Sequence, residues 1–424
     1  MSACGLDFGT SNSAIGVMRG ATPTLAPVEG ASLLIPSAIF FDFESHGRVL
    51  FGRHAIDTYI GQHEGRLMRA LKTILGSPLI DESTAVGRRR VKFTEVVEIF
   101  VRHLKERAEA FAGHELAQVV HGRPVRFVDG DDAADAKAQS VLESIAHRVG
   151  FRDVIFEYEP IAAAYHYEET ATREELVLVA DIGGGTSDFT VIRIGPERRT
   201  LPDRRSDILA NSGARIGGTD FDSLLSIEAV MPLLGLGTQL DVKDLPMPRG
   251  LYYELATWAT INFLYNHKTE REVAGLLKQS VEPAKVARLL KTIRRHLGHR
   301  IAFAVEDAKI ALSEAPQIPL ALDFLEDALG ANATQPGFDA AIRDKTDRLA
   351  RVARACIAKA GCKPGDIDTI FFTGGSSRVP AVQRSISTAA PNARATTGSD
   401  FLSVALGLTR QAGIRYQGSG ISEI

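Results

Sequence analysis

Two short stretches of the chain carry the same chemistry. Gly5-Leu6-Asp7-Phe8-Gly9-Thr10-Ser11 and Val179-Ala180-Asp181-Ile182-Gly183-Gly184-Gly185-Thr186 each run from an apolar segment through an aspartate into a turn of glycine and a hydroxyl residue. Glycine lets the backbone approach a ligand without a Cβ in the way, and backbone N–H groups in such turns cradle phosphate oxygens. A threonine hydroxyl adds a donor. An aspartate repels phosphate directly but can hold a hydrated Mg²⁺. Asp188 lies further along the second turn. Either turn alone reads as a tight hairpin with glycines where positive φ is needed. The pair, facing a shared phosphate–Mg²⁺ unit, reads as a nucleotide clamp.

The elements that must position these turns alternate between strand-like and helical runs, which predicts an α/β fold. Cys4–Asp7 and Ser13–Met18 form a hairpin pattern, and Leu176–Ala180 with Phe189–Ile194 repeats it, so two equivalent halves face each other across a cleft. Thr94–Ala112 has helical spacing, with Val97, Phe100, Val101 and Leu104 on one face. Ala117–Val120 and Val125–Val128 read as strand pieces, and Ala133–Val149 as a helix stopped by Gly150. Further on come a basic helical stretch over Lys285–Arg300, helices over Ile301–Ser313 and Thr346–Ala360, and a buried strand, Thr369–Phe372, running into Gly374-Gly375. Phe401–Ala412 reads as a last helix.

Composition sets limits. The 424 residues suffice for a bilobed unit, with 45% apolar and 24% charged residues. A net charge of −3 gives no global argument for a nucleic-acid or membrane partner. Cys4, Cys356 and Cys362 make no disulfide framework and no metal-ligand spacing; they suit a reducing, cytoplasmic setting. Neither a secretory signal nor a membrane span is expected. Arg88-Arg89-Arg90 reads as a surface turn, Asp129–Asp132 as a loop before a helix, and Lys291–Arg300 as a solvated basic face.

At this point the sequence resembles a known superfamily. The two turns look like the phosphate loops of the actin, sugar-kinase and heat-shock chaperone ATPases. Four further stretches narrow the resemblance to the seventy-kilodalton heat-shock chaperones: Leu71-Lys72-Thr73-Ile74-Leu75-Gly76, Glu159-Pro160 followed by Ala162-Ala163-Ala164, Ile216-Gly217-Gly218-Thr219-Asp220-Phe221-Asp222, and Gly374-Gly375-Ser376-Ser377-Arg378-Val379-Pro380. They occur in the family's order from residue 5 to about 408, and the likeness is weakest between about 223 and 300.

The resemblance implies an actin-like ATPase fold, two duplicated ribonuclease H-like lobes around a nucleotide cleft. Lobe I would span 1–176, with about 31–112 as its small subdomain, and be completed by 400–424. Lobe II would span 177–399, with about 223–305 as its small subdomain. Carried over residue by residue, Gly9, Thr10, Ser11 and Asn12 contact the phosphates from lobe I, and Gly183, Gly184, Gly185 and Thr186 from lobe II. Asp7 and Asp181 hold Mg²⁺ through water. Lys72 and Glu159 flank the attacking water, with Lys72 also neutralising γ-phosphate charge. Asp188 is a second candidate for polarising that water, and Thr186 joins this catalytic set. Glu306, Lys309 and Ser313, on one helix face, bind ribose and adenine; Gly217, Gly218, Gly374, Gly375, Ser376 and Asp400 complete the nucleotide contacts, and Arg378 stacks on the base. Ile310 departs from the pattern, standing where the family has an arginine against adenine, and Asn12 stands where some relatives have tyrosine.

The implied ligands are ATP or ADP with Mg²⁺, and K⁺ as an optional further ion. The implied activity is that of an ATP-hydrolysing chaperone-like switch. With only about a dozen residues after the last helix, the family's peptide-binding clamp is expected to be absent, and with it direct binding of extended peptides. A protein partner or co-chaperone would then sense lobe closure, through the stretch from about Ser223 to Arg300. A sugar-type kinase of the same superfamily and a non-catalytic nucleotide sensor remain as alternatives.

Overall fold

The structure, a computed structural model, describes residues 2–417 except 46, 88, 129, 169–170, 199–200, 202–203, 242–244 and 398–401. Asp400 therefore lies outside the described residues, as do Arg88 and Asp129.

Two five-stranded paths carry the fold. In the first, β1 (Ala3–Phe8), β2 (Asn12–Arg19) and β3 (Thr22–Leu25) form an antiparallel meander, and β4 (Gln118–Arg123) and β5 (Asp153–Tyr158) extend it in parallel from β1, in the order β5-β4-β1-β2-β3. In the second, β6 (Glu175–Ile182), β7 (Ser187–Ile194) and β8 (Ile208–Ala214) form the meander, and β9 (Thr369–Thr373) and β10 (Arg394–Thr397) extend it in parallel from β6, in the order β8-β7-β6-β9-β10. The helices repeat too. Phe93–Ala112 precedes β4 as Gln335–Lys359 precedes β9; Asp132–Arg148 joins β4 to β5 as Pro380–Ser387 joins β9 to β10; Glu159–Glu168 follows β5 as Ser403–Gln417 follows β10. The duplication seen in the two turns is thus a duplication of whole lobes.

The central parallel strands are apolar on both faces because helices cover both: every residue of β9 is buried, as are Val177 to Ala180 of β6. Each lobe has its own core, one around Phe8, Phe100 and Val119, the other around Phe189, Phe221 and Phe372. A third apolar cluster joins them. It contains Ala3 and Val120 of the first sheet, Val177, Val179 and Ile194 of the second, and Ile161, Ala163, Val404 and Leu408 of the two equivalent helices. The lobes are therefore fastened to one another through this cluster. Among the described residues no helix is long and apolar enough to cross a membrane.

Several local expectations fail: Arg89 and Arg90, read as part of a surface turn, open the strand Arg89–Lys92, and His299, read as part of a solvated face, is buried. Val125–Val128 is irregular rather than strand, because Pro124 has no N–H with which to continue the ladder, and the N–H of Phe127 donates instead to Asp135 at 2.6 Å. The basic stretch Lys285–Arg300 is two helices, Pro283–Arg294 and Gly298–Ala311. His296 adopts a left-handed φ of 51°. The N–H of Leu297 donates to Thr292 O and that of His296 to Ile293 O, at 2.9 and 3.3 Å, a bonding pattern that ends helices and ordinarily places glycine at the left-handed position. Stacking of the His296 ring on Tyr265, at 4.2 Å, accompanies the turn. Thr346–Ala360 is a helix as expected but belongs to a longer one, Gln335–Lys359.

Candidate functional site

The turns after β1 and β6 meet. A Cβ built on Gly184 would stand 2.0 Å from the Ser11 hydroxyl, so the second turn approaches the first closely enough that a side chain there would have to push that hydroxyl aside. The first turn is fixed from outside: the Ser37 hydroxyl donates to Gly9 O at 2.7 Å, and the Ser37 N–H to Ser11 O at 2.8 Å. The second is fixed in an equivalent way. The N–H of Gly218 donates to Gly183 O at 3.0 Å, and the N–H of Thr219 to Gly184 O at 2.7 Å. Gly374 forms a third wall. Its φ of 78° and the position of its absent Cβ, 2.4 Å from Asp181 Oδ1, both require glycine.

Between the lobes lies a cleft of about 390 Å³. From the first lobe it is lined by Asp7, Gly9, Thr10, Ser11, Asn12, Lys72 and Glu159. From the second come Asp181, Gly183, Gly184, Thr186, Asp188, Gly218, Glu306, Lys309, Gly374, Gly375 and Ser376. Four sequence-derived candidates do not line it. Gly185 and Gly217 pack on one another behind the second turn, where a Cβ on Gly217 would stand 2.5 Å from Gly185 N. Ser313 lies in the turn after the helix Gly298–Ala311, and Arg378 ends the short 3-10 helix Gly375–Arg378.

Lys72 sits in a 3-10 turn, Leu71–Ile74. Ala70 before it holds a left-handed φ of 55°, a conformation that costs a non-glycine residue about 1 kcal/mol. The ammonium of Lys72 donates to Glu159 Oε1 at 2.5 Å. Glu159 opens the helix Glu159–Glu168, with Pro160 in the first turn, where its missing N–H has no helical partner to lose. Burial works against charge on Lys72, but Glu159, Asp7 and Asp181 outweigh it and raise its pKa above the ordinary value. Burial and then Glu159 push Asp7 up to about 8 and Asp181 to about 6. The floor of the cleft thus gathers three carboxylates, Asp7, Asp181 and Glu159, around one ammonium. The raised Asp7 and Asp181 mark a crowding of acidic groups that a bound divalent cation would relieve. Among the described residues no group of three His, Cys, Asp or Glu side chains is placed to ligate a metal directly.

Further side chains of the cleft come from the helix Gly298–Ala311. Lys309 Nζ lies 2.7 Å from Asp222 Oδ1; the two form an ion pair without hydrogen-bond alignment at that oxygen. Burial pushes Asp222 up to about 6 despite Lys309. Ile310 is 60% exposed at the rim. Sequence reasoning had Asp222 within a motif but gave it no role, and it missed several cleft residues, Arg69 and Trp258 among them. Arg69 ends a strand, Gly65–Arg69, and no pattern marks it; Trp258 follows the helix Gly250–Ala256 in the stretch of weakest resemblance.

Two sheets of one topology, fastened through an apolar cluster, with two glycine turns meeting over a carboxylate-lined cleft, define a protein of the actin-like ATPase fold. The family model for Hsp70 proteins matches residues 78–245 and 289–424, well over half of the chain. The chain belongs to the Hsp70 family, a family of nucleotide-binding, chaperone-type ATPases that bind ATP and ADP with Mg²⁺ and work with co-chaperones. The unmatched interval 246–288 falls within the stretch where the motifs fade. The first turn and Lys72 precede the matched residues.

Proposed function

We propose that this chain is a Mg²⁺-dependent ATPase that switches between closed and open lobe positions. The observation that carries the reading is the meeting of Ser11 and Gly184 over Asp7 and Asp181, with the Lys72–Glu159 pair beside them. Backbone N–H groups of the two turns would bind the phosphates from opposite sides. Bound Mg²⁺, held through water by Asp7 and Asp181, would add positive charge against the phosphate oxygens. Glu159 fixes the Lys72 ammonium where γ-phosphate charge develops, and with Asp188 it orients the attacking water. Phosphoryl transfer depends mainly on such positioning and charge. Glu306 and Lys309 would take the ribose and base.

The lobe limits proposed are 1–176 with 400–424, and 177–399. Cys4, Cys356 and Cys362 are free thiols, which suits the cytoplasm proposed as the setting. A protein partner or co-chaperone that binds the two lobe positions with different affinity would read the switch. Calorimetry with ADP and Mg²⁺, followed by a hydrolysis assay on the same preparation, tests the reading; failure to bind ADP would overturn it.

A further inference from the structure

Arg69 reaches across the mouth of the cleft. It comes from the first lobe, yet its guanidinium lies on side chains of the second: Cζ is 4.6 Å from the centre of the Trp258 ring and 5.2 Å from that of Phe303. Nη2 is 3.7 Å from Glu306 Oε2. Trp258 and Phe303 meet edge to face at 5.0 Å, so the guanidinium faces a two-ring wall. Behind that wall the same two lobes touch again. Trp258 packs edge-on against His299 at 4.4 Å, and His299 Nδ1 is 3.1 Å from the hydroxyl of Tyr59, another first-lobe residue. Gln62, also of the first lobe, donates through Nε2 to Arg295 O at 2.6 Å.

The position of this contact matters. Arg69, Trp258 and Glu306 all line the cleft, and Glu306 stands on the helix Gly298–Ala311, proposed above to take the ribose and base. On the second-lobe helix, Ile310 offers a ring no charge and no plane. Arg69 supplies both from the opposite lobe, since a guanidinium is planar and stacks on aromatic faces.

We propose that Arg69, braced on Trp258 and Phe303, is a bar across the nucleoside end of the cleft and a further binding determinant for the purine nucleoside. It rests on the nucleotide reading above and extends it. A bound nucleoside lies under the bar, and to leave it must wait for Arg69 to part from Trp258. The ion pair with Glu306 is long and loose, so a ribose hydroxyl can take the Glu306 carboxylate without disturbing the stack on Trp258.

The chain has a single tryptophan, so emission from Trp258 reports on the bar directly. The test uses the full chain with Mg²⁺ and follows Trp258 emission on adding ADP, adenosine alone, or inorganic tripolyphosphate alone. ADP and adenosine are expected to change the emission and tripolyphosphate is not. Arg69→Ala should release ADP roughly ten-fold faster, the range of a partly desolvated cation–π contact. Arg69→Lys, which keeps charge and loses the plane, should fall between. Binding of ADP by calorimetry together with a parental release rate in Arg69→Ala overturns the bar and leaves the nucleotide reading standing. Absence of ADP binding to the parent chain overturns both.

Discussion

The ammonium of Lys72 lies 2.5 Å from Oε1 of Glu159, across 87 residues of sequence. Their side chains are only 10% and 12% exposed, so the pair is a preorganised charge in a water-poor site and not a surface ion pair. Lys72→Ala is expected to slow ATP hydrolysis about 100-fold or more, because it removes charge aimed at the transition state. Nucleotide affinity should fall much less. Single-turnover kinetics beside calorimetry separates the two; an unchanged turnover would make Lys72 structural only.

Glycine substitutions in the two walls should differ in kind. Alanine at Gly374 meets the Asp181 carboxylate at 2.4 Å and must also hold φ at 78°. Gly374→Ala should cost about 1–3 kcal/mol of stability, the usual cost of strained backbone or overpacking. At Gly184 the obstacle is the Ser11 hydroxyl, a side-chain end that can turn away. Gly184→Ala should therefore fold with nearly parental stability but lose most of its ADP affinity. Urea denaturation and calorimetry on both variants check this, and equal stability losses would contradict it.

Cation dependence follows from the charge at the cleft floor. Asp7, Asp181 and Glu159 crowd around one ammonium, which already raises Asp7 and Asp181, and added phosphates increase the crowding of negative groups. ADP affinity should drop more than about ten-fold when EDTA replaces Mg²⁺, since uncompensated charge in a poorly solvated site is costly. Equal heats and equal affinity in both conditions would show that the carboxylates need no cation.

Three histidines give a pH signature. Burial lowers His299 to about 4, with Arg69 adding to the effect. Burial likewise lowers His103 and His121 to about 4, helped by Arg107 and Lys72 respectively. The unfolded chain takes these protons near 6.5. Between about 6.5 and 4 it therefore binds more protons than the folded chain, and stability from these sites is present above 6.5 and lost as pH falls toward 4. Asp7, raised by burial, works in the opposite direction, so a site-resolved check is needed. NMR titration should find these three imidazoles neutral at pH 5.5; any of them titrating near 6.5 would contradict its burial.

Much of this was legible in the sequence because glycine turns after apolar strands leave a local signature, and the repeat of Asp7-to-Thr10 at Asp181-to-Thr186 gave the lobe duplication. The hairpins, the helix Phe93–Ala112 and the buried strand Thr369–Thr373 follow from periodicity alone. Arg69 and Trp258 were hidden because cross-lobe contact has no sequence spacing; one ends a strand and the other sits in a turn 189 residues later. The break at His296 was hidden for a different reason. Its left-handed residue is not glycine, so apolar spacing runs on through a turn that only hydrogen bonding reveals. Pro124, by contrast, was a visible breaker, and Val125–Val128 was read as strand in spite of it.

The measurement that bears most directly on the central claim is single-turnover release of γ-phosphate from ATP by the full chain, in Mg²⁺ and again in EDTA. The structure predicts release in Mg²⁺ at a rate that Lys72→Ala lowers about 100-fold or more, with none above background in EDTA. ATP that binds in Mg²⁺ and stays intact, or hydrolysis that ignores both EDTA and Lys72→Ala, would contradict it.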